Sequence, residues 1–155
     1  MADQLPRHLL FVCSGNLCRS PMAAAIARHV AMELALEVEV ASAGTLGIVG
    51  RPAERRAAAV CREIGLDLAD HVSQALTPEW IRWADRIYVM EPAHATRVRE
   101  LVPEVGEIVV QLGPLAGEVE IHDPTGSWFV WPFRRTRDAL RRAIVKALSA
   151  EQHRR

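Results

Sequence analysis

Cys13, Cys18, Arg19 and Ser20 crowd into one short stretch, Cys13-Ser14-Gly15-Asn16-Leu17-Cys18-Arg19-Ser20-Pro21. Redox exchange, metal binding, or the capture and attack of an anion would each suit two thiols and a cation. The third is the most specific to this arrangement. A loop between a strand and a helix can turn successive backbone N–H groups inward, and such a nest binds a tetrahedral oxyanion. Gly15 and Asn16 tolerate the left-handed backbone angles that the loop is expected to need. Amides from Ser14 to Cys18, Leu17 included, would line the nest, and Arg19 adds a planar fork for two oxygens. Cys13 comes first, where its sulfur would sit beneath a bound phosphorus. The field that holds the anion also favours a thiolate, and the Ser20 hydroxyl could donate to it. That combination fits covalent catalysis, with Arg19 on the equatorial oxygens of a phosphoryl group in transfer.

Such a loop needs a strand before it and a helix after it. His8-Leu9-Leu10-Phe11-Val12 is an apolar run, as in a buried parallel strand. Ser20-Pro21 is expected to cap the following helix, with Met22, Ile26 and Val30 on its buried face. Residues 38–42 alternate as a second strand, which Gly44 ends. A helix is expected from near Pro52, with Ala53, Ala57, Val60, Cys61 and Ile64 as its apolar stripe and Gly65 as its stop. Thr77-Pro78 opens a short helix, residues 86–90 form a third strand, and a helix starts at about Pro92 with Val98 and Leu101. Residues 107–112 read as a fourth strand. A loop rich in Gly and Pro runs to about residue 130, before a last helix with Phe133, Leu140, Ile144 and Leu148 on one side. Strands alternating with helices predict an α/β fold: a four-stranded parallel sheet flanked by helices on both faces. Ligands in such folds bind at the carboxyl ends of the strands, where the first loop falls.

The stretch VCSGNLCRSPMA resembles the phosphate loop of the low-molecular-weight protein tyrosine phosphatases. Residues 42–53 (SAGTLGIVGRPA) resemble the second strand and loop of bacterial members, and 84–91 (ADRIYVME) the third strand. Asp123-Pro124-Thr125-Gly126 resembles the family's Asp-Pro acid loop. The resemblance implies Cys13 as nucleophile, Arg19 as phosphate clamp, Asn16 as the brace of the loop, and Ser20 as support for the thiolate. It implies Asp123 as general acid and then base, aimed by Pro124, with neither metal nor cofactor. A departing phenolate needs a proton, so the chemistry itself asks for such an acid. Eukaryotic members carry an aromatic in the first loop and two tyrosines after Asp-Pro; this chain has an aliphatic loop and Thr125-Gly126. The expected partner is a tyrosine-phosphorylated protein, with a bacterial tyrosine kinase as one such substrate. The family also offers a phosphoarginine phosphatase, which carries threonine where this chain has Leu17, and an arsenate reductase. The latter needs two further closely spaced cysteines, and only Cys61 exists beyond the loop. A non-hydrolytic phosphocysteine carrier is the alternative of another class.

Other residues have plainer readings. Asp-Pro-x-Gly is good turn chemistry by itself. Cys18 is either a structural thiol or a partner that traps oxidised Cys13 as a disulfide. Cys61 lies on an apolar stripe, and His71, His94 and His122 lack the spacing of metal ligands. Trp80, Trp83, Trp128 and Trp131 read as core or helix anchors, with Trp128 also placed to wall a substrate ring beside Leu46 to Val49. Arg134, Arg135, Arg137, Arg141, Arg142, Lys146, Arg154 and Arg155 make the last helix and tail basic, most simply as a solvated face.

The 155 residues fit one domain, 1–155, and half are hydrophobic, which excludes general disorder. Nineteen basic residues balance nineteen acidic ones, so nothing favours nucleic acid or a membrane surface. Three cysteines do not make a disulfide scaffold. The start of the chain lacks the pattern of a signal peptide, and no stretch has the length of a membrane span. The expectation is a cytoplasmic protein, monomeric or weakly dimeric, whose thiols stay reduced.

Overall fold

Apolar strands that alternate with amphipathic helices can bury both faces of a sheet, and this chain does so. The computed structural model describes residues 5–154. Its four strands are β1 His8–Cys13, β2 Glu39–Gly44, β3 Arg86–Val89 and β4 Val109–Gln111, in the spatial order β2-β1-β3-β4. Every pairing is parallel. The helices are α1 Arg19–Glu33, α2 Arg55–Arg62, α3 Pro78–Trp83, α4 Pro92–Leu101, α5 Leu112–Leu115 and α6 Trp131–Gln152. The parallel sheet with helices on both faces is as the sequence predicts.

The two-residue period of β1 divides its side chains between two cores. Leu9, Phe11 and Cys13 join Met22, Ile26, Val60, Phe133, Leu140 and Ile144 under α1, α2 and α6. Leu10 and Val12 join Ile81, Ile87, Val89 and Val98 under α3 and α4. Cys13 thus ends the strand on the face that α1 covers.

Several boundaries differ from expectation. Ser20 is not a cap: α1 begins at Arg19, after Cys18, and has no side-chain cap. α2 begins at Arg55 rather than near Pro52, because the Glu54 carboxylate accepts from the N–H groups of Arg56 and Ala57. β4 is shorter than residues 107–112, since a 3-10 turn takes Gly106–Ile108 and Leu112 already opens α5. Trp128 is 94% exposed and Trp131 is 58% exposed, so neither is a core residue. Trp80 and Trp83 do pack together, edge to face at 5.2 Å. Arg155 lies outside the described residues. Among the described residues, no helix is long and apolar enough to cross a membrane.

The return from β4 brings the acid loop back across the sheet. Ile121 N–H donates to the Met90 carbonyl at the end of β3. Gly113 permits this path: a Cβ there would lie 2.5 Å from Glu120 Cα. On the other side, the Thr136 hydroxyl of α6 donates to the His122 carbonyl.

Candidate active site

Cys13 and Gly44 are register partners at the carboxyl ends of β1 and β2. The chain after Cys13 folds back over Gly44, where a Cβ would stand 2.7 Å from Ser14 O and 2.9 Å from Asn16 N. Only glycine allows that approach. The left-handed residue of the loop is Asn16, with φ of 57°; Gly15 is not left-handed. A Cβ on Gly15 would meet only ordinary contacts, at 3.7 Å from Ile48 and Leu17. The expectation that both residues supply left-handed angles is therefore half right.

Asn16 is fully buried, and its side chain explains how the turn holds. Nδ2 donates to Ser20 Oγ at 2.8 Å and to Ser42 Oγ at 2.9 Å. Oδ1 accepts from Gln74 N–H at 2.9 Å. The Asn16 carbonyl lies 2.7 Å from His71 Nε2. Burial lowers the His71 pKa below its ordinary value, so the ring is neutral and donates from Nε2 to that carbonyl. Apart from the bond to Ser20, these bonds tie the loop to β2 and to the distant loop that follows α2.

The sulfur of Cys13 lies 2.9 Å from Ser20 Oγ and accepts from Asn16 N–H at 3.3 Å. Because Ser20 Oγ already accepts from Asn16, its own hydrogen is available to the sulfur. Both contacts direct the positive end of a dipole at Sγ, as a thiolate requires.

Arg19 is the cation of the site and is 2% exposed. Nη1 donates to Glu91 Oε2 at 2.6 Å and to the Ile121 carbonyl at 2.9 Å, which uses both of its hydrogens. Nη2 faces Ser14 Oγ at 3.5 Å and Asp123 Oδ2 at 3.8 Å. Of the two terminal nitrogens, it is the one left to meet an anion. The acid loop therefore braces the guanidinium through Ile121 and overhangs it through Asp123.

Asp123 accepts from the Thr125 N–H at 3.1 Å and from its hydroxyl at 2.7 Å. Partial burial pushes its carboxyl up, but the two Thr125 bonds, with Arg19 and His122, outweigh that and hold it below its ordinary value. The unliganded carboxyl is ionised at neutral pH. A phosphate ester seated over Cys13 would supply the negative charge that draws a proton back to it. Arg56 steadies the chain beyond, donating to the Ser127 carbonyl while lying 4.4 Å over the Phe133 ring.

Leu46 N–H donates to the Ser14 carbonyl, so the loop after β2 hangs beside the cradle. Leu46 and Val49 are each 67% exposed there. On the other side of Asp123, a cavity of about 720 Å³ is lined by His122, Pro124, Ser127, Trp131 and Arg135 among others. A larger one, about 790 Å³, lies near Leu5 and Asp85 at the opposite end of the strands, away from this chemistry. Cys18 is buried, which pushes its thiol well above the ordinary value, and negative charge near Cys13, Asp123 and Glu54 adds to this. All three cysteines are free thiols. Cys61 packs in the core, and burial raises it to about 11. Among the described residues, no cluster of three His, Cys, Asp or Glu could hold a metal ion.

Sequence reasoning missed Glu91, Ser42, Gln74 and the roles of His71 and His94. Glu91 stands at the carboxyl end of β3, a position where α/β folds gather ligands, and so carried a signal. The others carried none, because their partners are distant in the chain.

A parallel α/β sheet with a cysteine and arginine anion loop after its first strand defines a class of phosphate-handling enzymes. A profile of the low molecular weight phosphotyrosine protein phosphatase family matches residues 8–154, and the chain belongs to that family. It is 35% identical to a probable low molecular weight protein-tyrosine-phosphatase, AmsI, of Erwinia amylovora, over 85% of this chain and 83% of that one. The crystal structure of that phosphatase superposes with a TM-score of 0.85, at 34% identity, covering 94% of this chain and 93% of its own. A protein-arginine-phosphatase of Geobacillus stearothermophilus is also 35% identical, over 96% of this chain and all of its own.

Proposed function

We propose that this protein is a protein-tyrosine phosphatase that works through a phosphocysteine intermediate. The Cys13 thiolate attacks phosphorus, forming an S–P bond as the P–O bond to the phenolic oxygen breaks. Asp123 in its acid form gives its proton to that oxygen. Water then attacks phosphorus, Asp123 takes its proton, and the S–P bond breaks to return the thiolate and release phosphate. Arg19 Nη2 and the amides of Ser14 to Cys18 bind the oxygens throughout. Ser20 and Asn16 hold the thiolate and its loop, and Pro124 aims Asp123. No step calls for a metal. The observation that carries this reading is the convergence on one cradle of Cys13 Sγ, Ser20 Oγ, Arg19 Nη2 and Asp123 Oδ2.

Phosphoarginine is the second reading, favoured by the 35% identity to a protein-arginine-phosphatase. An apolar Leu17 beside the cradle suits an aromatic ester better. An arsenate relay lacks its thiols, since Cys61 is buried in the core. A carrier would not place Asp123 where it can activate water. The physiological setting we infer is a single cytoplasmic domain, monomeric or weakly dimeric, acting on tyrosine-phosphorylated protein such as a bacterial tyrosine kinase.

The test is turnover of phosphotyrosyl and phosphoarginyl peptides of one sequence, in chelator. The phosphotyrosyl peptide is expected to be the better substrate. Cys13→Ser should lose at least about 10⁴-fold in turnover, as removal of a nucleophile does elsewhere, while still binding phosphate. Full activity in that variant would end the mechanism.

A further inference from the structure

Ser14 and His94 form a pair that the reaction above does not use. Ser14 Oγ lies 2.9 Å from His94 Nε2. His94 Nδ1 accepts the backbone N–H of Glu91 at 3.1 Å. A ring nitrogen that accepts carries a lone pair, so the proton sits on Nε2. His94 therefore donates to Ser14. Arg19 Nη2 approaches the same oxygen at 3.5 Å. With donors at its lone pairs, Ser14 Oγ has its own hydrogen left to give. Burial and then Arg19 push His94 down to about 4, against Glu91 and Asp123, so the ring stays neutral at working pH. The arrangement is built into the fold: His94 is 3% exposed, and its bond to Glu91 closes the first turn of α4.

Ser14 follows Cys13 directly, and Arg19 Nη2 faces both its hydroxyl and the Asp123 carboxylate. An oxyanion over Cys13 and held by Nη2 comes within reach of that hydroxyl. We propose that Ser14 is a further catalytic residue, donating its hydroxyl hydrogen to the phosphoryl oxygen held by Arg19 Nη2, and that His94 is the positioning residue that aims it. This rests on the reading of Cys13 and Arg19 as the phosphate site. A donor turned in advance toward an oxygen that carries charge in the transition state needs no reorganisation during the reaction.

The experiment measures kcat/KM for p-nitrophenyl phosphate, inhibition by inorganic phosphate, and thermal unfolding. It compares wild type with Ser14→Ala, Ser14→Thr, His94→Phe and the Ser14→Ala/His94→Phe double variant. Ser14→Ala is expected to lower kcat/KM and weaken phosphate inhibition, each about tenfold, the scale of one hydrogen bond to a charged group, with a small drop in the unfolding midpoint because the buried His94 N–H loses its acceptor. Ser14→Thr keeps a hydroxyl and should recover most of the loss. His94→Phe should lose a similar factor, yet cost nothing further once Ser14 is alanine. His94→Gln, which retains an N–H, replaces His94→Phe if the latter does not fold, and should stay within a few-fold of wild type. An unchanged Ser14→Ala, or losses that simply multiply in the double variant, overturns the proposal while leaving the phosphatase reading intact. A wild type that neither turns over the ester nor binds phosphate overturns that reading, and this proposal with it.

Discussion

The floor of the site and its rim are built differently. The floor runs from Cys13 to Ser20 and is buried at Cys13, Asn16, Cys18, Arg19 and Ser20. Its polar groups are held by one strand and by connecting segments far away in the chain: Ser42, His71, Gln74, Glu91 and Ile121. The rim, from Asp123 to Trp131, is largely open. The Asp123 side chain is 45% exposed, and Trp128 and Phe129 stand out in solvent. A buried charge needs several fixed partners, or its desolvation goes uncompensated. A proton donor that must meet varied leaving groups needs fewer. The floor is thus the part that holds charge in one geometry, and the rim the part where substrate choice can vary at small cost in stability.

The comparison breaks first at chemistry. Asp123→Asn should cost about 10²–10⁴-fold in turnover, the usual worth of a positioned acid, most for esters with poor leaving groups, and should leave thermal unfolding nearly unchanged. A leaving-group series measures it; an equal loss for all esters would remove Asp123 from the role of acid.

Gly44→Val tests the floor from beneath. Its side chain would run into Ser14 O and Asn16 N, so the variant should lose about 1–3 kcal/mol of stability in urea unfolding, together with phosphate binding. A stable, active Gly44→Val would mean that the loop does not lean on β2.

A subtler difference lies in pH. His94, on the wall of the floor, has its value lowered to about 4 by burial and by Arg19. A histidine held neutral in the folded state contributes stability that is full above its ordinary value near 6.5 and is lost as pH falls toward about 4. The unfolding midpoint should therefore drop between those values, and drop less in His94→Gln. The lowered value of Asp123 has the same sign in a more acid window: its contribution is present above the ordinary carboxylate range and fades as pH falls through its folded value. Parallel melting curves for wild type and His94→Gln would deny the buried neutral ring.

The smallest effect belongs to the rim. Trp128→Ala should change stability by less than about 0.5 kcal/mol, because the side chain touches little. Any loss it causes should appear as a raised KM for phosphotyrosyl peptides, with p-nitrophenyl phosphate turnover unchanged. A large drop in the melting temperature would show that this tryptophan is an anchor after all.

How far the chain could be read in advance follows the range of the interactions concerned. The strands at His8–Cys13 and Arg86–Val89 announce themselves by uninterrupted apolar runs, and Thr77-Pro78 marks a helix start by its own chemistry. Ser20 misled for the same reason: Ser-Pro is a good local cap signal, but here the hydroxyl serves the sulfur seven residues earlier. Trp128 misled because size and hydrophobicity favour burial on average, while the return loop leaves this residue outside.

By itself the sequence determined the order of the four strands and of every helix except α5, the anion loop with its cysteine and arginine, and the presence of an aspartate in an Asp-Pro turn. Those depend on neighbours in the chain, whose distances are set by covalent geometry. Only the tertiary structure decided that Glu91 and the Ile121 carbonyl occupy one terminal nitrogen of Arg19, leaving the other terminal nitrogen for a ligand, and that His94 turns toward Ser14. Contacts across seventy or a hundred residues arise from how the sheet and its return loop close around a core, and no local pattern of residue types encodes that closure.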